Sequence, residues 1–496
     1  MIGSLIRRQQ KRGWHPYSLL LFCVFTGGTR GILEFVLHGI NISNADMLNF
    51  IPFYVLLAML LTLMLSKIAD VQFQTVQKSL LMGIFLGLFP PILDVLMPHD
   101  YPVLYGYYFV WDFANLPYLG YNPMLSFPAG EAITIWLSVF FCGLYVFVLT
   151  ANYLRTLLAL VVGYCVFIFM GSLFPMIITK LSTSGVDSLA QLRELSPLTI
   201  NAIGFRLSFY QGLLALFIYL LVRPGLCLQI CKRLIHIVPF IMLTLLGGIM
   251  VQANSVSLLQ SALLMLAVGI ALIVQNDFFD AAEDSESRPP QIAEFDVKTV
   301  NFLVVLCMLG IFFHNNRAAV SALIAFICGV LYNYPFYRAR NTFPSNLKIE
   351  GVWALTSFLS GAMLETSRTN SPRVQLVAFL VFGGWSLAAL VKDLKDIDAD
   401  KKNHVRTVFT LLENRGIRRE RAWFYIRIVI VLLFSAPVLL AAIFGSGIAA
   451  ALAVVGALLP ATALFGANGK AGFRLFLMAV SLDIICWQFI FAKSWV

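Results

Sequence analysis

Apolar stretches of about twenty residues recur from one end of this 496-residue chain to the other, and that is the length an α-helix needs to cross a bilayer's hydrocarbon core. In lipid every backbone N–H and C=O must find its partner inside the protein, so a spanning segment is a helix or part of a closed barrel. The stretches are continuously apolar and do not alternate, which selects the helix. Only 12% of the residues are charged and 59% are hydrophobic, whereas a soluble domain carries about 25% charged residues. The fold class expected is an all-α polytopic membrane protein.

In such a chain the formal charge of +10 does not point to nucleic acid. Basic residues mark the cytoplasmic loops of membrane proteins and meet anionic lipid, so the bilayer is the partner that this charge implies. The 8 cysteines are scattered, without a CxxC pair or zinc spacing, and imply no disulfide framework. The basic start, MIGSLIRRQQKRGWHPYS, lacks a cleavable-signal pattern and reads as a cytoplasmic end leading into a first span.

Hydropathy predicts about six spans in the first part, near 17–38, 50–66, 79–97, 132–150, 155–179 and 207–223. About nine more follow, near 236–253, 257–275, 298–313, 317–334, 349–366, 374–391, 423–444, 446–466 and 471–491. The short basic segment around Arg223, Lys232 and Arg233 is the best boundary. It gives an N-terminal membrane domain, 1–225, and a second domain, 226–496. In the first, Arg30 and Glu34 stand at i and i+4 and can neutralise each other at membrane depth. Asp94, Asp112 and Glu131 flank or lie in an aromatic loop from Pro98 to Gly130. That loop suits an interfacial belt or the lining of a lipid or sugar site.

The second domain holds the densest carboxylate clusters. Asp277, Asp280 and Asp284 follow Asn276 at steps of three and four, and Asp393, Asp396 and Asp400 repeat those steps. Residues so spaced share one helix face. Like charges this close repel unless a cation intervenes. Oxygen donors without His or Cys suit a hard cation, and magnesium shared with substrate phosphates is the usual case. With a cytoplasmic N-terminus, both clusters fall on the cytoplasmic side, as does LYNYPFYRAR from Leu331 to Arg340. Arg338, Arg340 and Arg406 can take phosphate oxygens directly. Charge runs are commonly solvated loops, but spacing, loop side and the Tyr332 segment all coincide here.

These motifs resemble those of the UbiA superfamily of intramembrane prenyltransferases. Asn276 to Asp284 is similar to its NDxxDxxxD signature, and Lys392 with Asp393, Asp396 and Asp400 is similar to KDxxDxxxD. Tyr332, Pro335 and Arg338 match the YSxPPxRxK segment, in which Asn333, Phe336 and Arg340 replace the usual residues. His404 stands where a glycine is usual, and RPPQIAEFD lacks the glycine common after Arg-Pro. The resemblance covers roughly residues 230–496 and implies a nine-helix bundle, here preceded by about six further transmembrane helices. It implies that Asn276, Asp280, Asp396 and Asp400 coordinate Mg2+, supported by Asp277, Asp284 and Asp393. Tyr332, Asn333, Arg338, Arg340, Lys392 and Arg406 would bind substrate, with Asp280, Asp396 and Asp400 central to catalysis.

The activity implied is magnesium-dependent transfer of a prenyl group from an allylic prenyl diphosphate to a membrane-associated acceptor. The plasma (inner) membrane is the expected location, with the acidic motifs cytoplasmic. Phosphoribosyl transfer to a polyprenyl phosphate would use the same metal–diphosphate logic. A non-catalytic lipid transporter or binding protein is the reading from another class. It would still move its ligand with turnover absent, whereas the enzyme would lose turnover on Asp280→Ala or Asp396→Ala.

Overall fold

A computed structural model describes residues 17–38, 44–96, 129–182, 197–283, 292–312, 314–334, 344–402, 407–418, 420–425, 427–428 and 469–493. Among them the regular structure is helical, with no strand. Among the described residues, ten helices are long and apolar enough to cross a membrane, or 11 if the bent pair Pro224–His236 and Val238–Met250 (55°) is one span. The all-α polytopic class read from the sequence is the one observed. The spans expected at 423–444 and 446–466 fall largely outside the described residues.

The chain forms two compact units. Unit 1 comprises Met1–Pro224 and Asn301–His314, and unit 2 comprises Gly225–Val300 and Asn315–Val496. Unit 1 contains α1 (Tyr17–His38), α2 (Asn44–Ala69), α3 (Phe73–Gly83), α4 (Phe89–Leu96), α5 (Ala129–Thr150), α6 (Tyr153–Ile168), α7 (Phe174–Ser182) and α8 (Pro197–Val222). Helix α6 starts where Asn152 accepts hydrogen bonds from the amides of Leu154 and Arg155 at 2.9 and 3.1 Å, which satisfies two orphan donors of its first turn. Helix α2 packs on α1 and α8 around the fully buried Phe50, Leu56 and Phe209. Gly310 lies so close to α8 that a Cβ there would sit 2.6 Å from the Phe209 amide nitrogen. Small residues permit such close backbone approach where lipid supplies no hydrophobic drive.

Unit 2 begins with α9 (Pro224–Arg233) and α10 (Val238–Met250), followed by α11 (Ser255–Glu283). Helix α12 (Glu294–Phe312) runs across the division of the chain between the units. Then come α13 (Asn316–Asn333), α14 (Ser345–Ala362), α15 (Thr366–Thr369), α16 (Pro372–Lys402), α17 (Val408–Asn414) and α18 (Gly469–Lys493). Pro239 stands in the first turn of α10, where a missing N–H costs nothing. Helix α14 packs against α10, α13 and α16. Gly361 permits its contact with α10, since a Cβ there would overlap the Thr244 carbonyl oxygen. Thr244 Oγ1 donates to the Ser357 carbonyl at 2.8 Å. Phe240, Phe358, Phe409, Trp423 and Phe476 belong to the buried core around this crossing.

The direction of the helices decides where the acidic motifs end up. Ser261, early in α11, meets Ser360, late in α14, with hydroxyl oxygens 2.7 Å apart. Helices α14 and α16 are joined by a short turn in which Thr369 Oγ1 donates to the Ala362 carbonyl at 2.6 Å. The other end of α14 lies against the middle of α16, Gly351 beside Phe382 and Ser386. Helices α11 and α16 thus both run opposite to α14 and parallel to each other. Their C-terminal ends, which carry the acidic motifs, lie at the same end of unit 2.

Candidate functional site

Asn276, Asp277 and Asp280 occupy the last turns of α11 and are each half-buried. The Asn276 amide donates from Nδ2 to Asp280 Oδ2 at 2.8 Å, the i,i+4 contact that the spacing allows. Asp277 Oδ1 lies 2.5 Å from Arg233 Nη1, at the end of α9. Carboxylates at a helix C-terminus face the negative end of the macrodipole, and the last turn of α11 has no basic residue. Two carboxylates here, one beside the other, therefore call for a cation from outside the helix. Asp284, one residue past α11, lies outside the described residues.

The end of α13 joins this site. Asn333 is buried, and its Nδ2 donates to the Leu272 carbonyl at 3.3 Å, one turn before the acidic motif. The Tyr334 ring sits 4.6 Å from that of Phe279 at 57°. Tyr332 is half-buried on the last turn of α13. Arg338 and Arg340 lie outside the described residues, as do Arg406 and His404.

Lys392, Asp393, Asp396 and Asp400 lie on the unbroken final turns of α16. The helical register puts the three aspartates on one face; their side chains are outside the described residues. Past Arg406, Thr407 starts α17 with a capping box: Thr410 Oγ1 accepts from the Thr407 amide at 2.9 Å, and Thr407 Oγ1 from the Thr410 amide at 3.4 Å.

Among the described residues no group of three or more His, Cys, Asp and Glu side chains forms a ready metal cage. The donor set fits magnesium nonetheless. Magnesium commonly takes one or two carboxylates and completes its shell with water and substrate phosphates. Asp277 and Asp280 supply such a pair, and a guanidinium already stands at the position where Asp277 would meet a cation.

The candidates of unit 1 form a separate cluster. Arg30 Nε lies 3.3 Å from Glu34 Oε1, and Nη2 lies 3.4 Å from Glu131 Oε1. Nη1 donates to Tyr54 Oη at 2.8 Å, and that hydroxyl donates to the Gly87 carbonyl at 3.0 Å. The Arg30 guanidinium also lies 4.7 Å from the centroid of the Phe50 ring. Asp94 Oδ1 accepts from the Gly130 amide at 2.7 Å, at the start of α5. Four helices, α1, α2, α4 and α5, are tied through these groups. Asp112 lies outside the described residues.

Sequence reading joined Arg30 to Glu34 through their spacing but had no signal linking either to Glu131 or Tyr54. In the sequence Arg233 is only part of a basic linker. The sign available is its place, the second of two basic residues that close a short helix just ahead of the first span of this half. Tyr334 occupies a variable position of the segment, so the sequence carries no signal for it.

No curated protein sequence matches the chain. Residues 240–482 match the model of the UbiA prenyltransferase family. Among solved structures, a UbiA homolog from Archaeoglobus fulgidus bound to Cd2+ is 14% identical with a TM-score of 0.41, covering 53% of this chain and 97% of that one. A structure of digeranylgeranylglyceryl phosphate synthase is 18% identical with a TM-score of 0.41, covering 54% and 98%. The Archaeoglobus fulgidus homolog bound to GPP and Mg2+ is 15% identical with a TM-score of 0.38, covering 53% and 97%.

Proposed function

We propose, since residues 240–482 belong to the UbiA prenyltransferase family, that this integral membrane protein transfers a prenyl group from an allylic prenyl diphosphate to a membrane-associated acceptor. Residues 226–496 would form the transferase domain, with its acidic motifs at the cytoplasmic face of the plasma (inner) membrane. Residues 1–225 would form a separate membrane domain. The observation that carries the proposal is the parallel course of α11 and α16, which brings both acidic helix ends to one end of unit 2.

Ionisation of an allylic diphosphate builds negative charge on the leaving group and positive charge on the allyl carbon. Asn276, Asp277, Asp280, Asp284, Asp393, Asp396 and Asp400 would hold magnesium, which when bound neutralises the departing diphosphate. Arg338, Arg340, Lys392 and Arg406 would take its remaining oxygens. Donors fixed in advance stabilise that charge more in the transition state than in the ground state. Tyr332, Asn333 and the Tyr334–Phe279 pair would line the approach to the allyl carbon, where excluding water protects the cation. No His or Cys nucleophile is required.

The test is incubation of purified protein with prenyl diphosphates of several lengths and host lipid extract, with and without magnesium, followed by mass spectrometry. A magnesium-dependent prenylated lipid supports the proposal. A phosphoribosylated polyprenyl phosphate, formed when phosphoribosyl diphosphate is supplied instead, would reassign the donor while keeping the site. No new product from any donor would leave a lipid-binding protein.

A further inference from the structure

Arg233 closes α9, and its side chain is 43% exposed, whereas that of Asp277 is 11% exposed. The two charged atoms are 2.5 Å apart, yet among the described residues Asp277 Oδ1 accepts no aligned hydrogen bond. The contact is one of charge at a single atom. It does not engage the two-pronged fork through which arginine binds carboxylate most firmly. A guanidinium presents five N–H donors, so most of its bonding capacity is left over from this contact. Arg233 is thus a cation placed on a carboxylate that a divalent ion would also seek.

We propose that Arg233 is an exchangeable counter-ion of the first acidic motif. It neutralises Asp277 while no metal–diphosphate is present, and passes to a diphosphate oxygen when a divalent cation takes Asp277. This role rests on the prenyltransferase function proposed above and goes beyond it by making Arg233 a diphosphate-binding residue that couples the two ligands. A divalent ion that takes Asp277 draws off the negative charge that holds the guanidinium there, so metal binding alone weakens the arginine's contact and the two cations compete for the carboxylate. Diphosphate gives the displaced arginine a better partner, more highly charged than a carboxylate and with paired oxygens that the planar guanidinium fork can take together. Each ligand therefore raises the affinity of the other by the same factor, as linkage requires.

The experiment uses the full chain in detergent, with Mn2+ standing in for magnesium and a radiolabelled, unreactive farnesyl thiolodiphosphate as the anion. Binding of Mn2+ alone is followed by loss of the free-ion electron paramagnetic resonance signal. Thiolodiphosphate binding is measured at fixed free Mn2+. Arg233→Gln is expected to bind Mn2+ alone about 3–10-fold more tightly, and thiolodiphosphate about tenfold or more weakly, because competitor and anion partner are lost together. Arg233→Lys keeps the charge without the fork. It should leave Mn2+ binding near that of the wild type and weaken thiolodiphosphate by a smaller factor. An Arg233→Gln protein that matches the wild type in both measurements, or weakens both, overturns the role of Arg233. If the wild type binds the thiolodiphosphate and turns over while Arg233→Gln is indistinguishable from it, only this role falls. If the wild type binds no thiolodiphosphate with any metal, the proposed function falls and this role falls with it.

Discussion

Carboxylates gather in both units, and they meet their cations in different ways. In unit 1, Glu34 and Glu131 converge on one guanidinium, with side-chain exposures of 4% for Arg30 and 0% for Glu34. Tyr54 relays the contact to a backbone carbonyl, and Phe50 covers the charge. In unit 2, Asp277 meets a half-exposed arginine at one atom, and its neighbour Asp280 is bridged to an amide at a helix end. An enclosed network spends its charge on joining helices. A pair at the end of a helix, beside a half-exposed arginine, keeps its charge available for something that arrives.

That contrast can be broken by substitution, and the largest effect is expected at the helix-end site. Asp280→Ala should lower turnover by about 10^2–10^3-fold or more, the scale seen when one preorganised charge-stabilising group is removed. Its melting behaviour should stay close to that of the wild type, because the residue is half-buried at a helix end. Product formation and thermal unfolding in detergent check the two halves of that statement. Arg30→Leu should do the reverse. It leaves Glu34 buried, and Glu131 partly buried, without their shared cation and should cost about 3–5 kcal/mol, seen as a lowered melting temperature. Thiolodiphosphate affinity per folded molecule should not change.

Metal removal sharpens the same contrast. Chelation should abolish diphosphate binding and added magnesium restore it, while the stability conferred by the Arg30 network stays indifferent to chelator. Next in size is packing: Gly361→Val should cost about 1–3 kcal/mol by overpacking the crossing of α10 and α14, read as a lower melting temperature.

The last effect concerns pH. His314 Nε2 accepts from Arg206 Nε at 3.1 Å, and Arg206 Nη1 donates to the Ser182 carbonyl at 3.2 Å. Burial, with the adjacent guanidinium adding to it, pushes the His314 imidazole down from 6.5 to about 4. The unfolded chain then binds more protons than the folded one between those values. Stability from this contact is full above about 6.5 and is lost as pH falls toward about 4. His314→Gln should flatten that decline in a pH series of melting curves.

The class of fold was legible because lipid leaves a backbone so few options that hydropathy alone selects the helix. The acidic motifs were legible because helical spacing turns i, i+3 and i+7 into one face. What could not be read were contacts between residues far apart in the chain. Arg233 and Asp277 are separated by a whole hairpin, and Arg30 and Glu131 by 101 positions. Spacing says nothing of such pairs, since they depend on which helices pack and in which direction. The parallel course of α11 and α16 had only been expected from loop counting. It follows here from Ser261 meeting Ser360 and from Gly351 seating beside Phe382. The family match also stops short of the first half, where no family model matches, so the Arg30 network stands on its geometry alone.

The most direct measurement is amide hydrogen exchange across the whole chain, with magnesium, with an unreactive prenyl thiolodiphosphate, and with both. Slowed exchange in the segments around 276–284 and 392–402 together, only when both ligands are present, is the predicted result. Protection of one segment without the other, or of neither while the ligand binds elsewhere, would contradict a single diphosphate held between the two acidic helix ends.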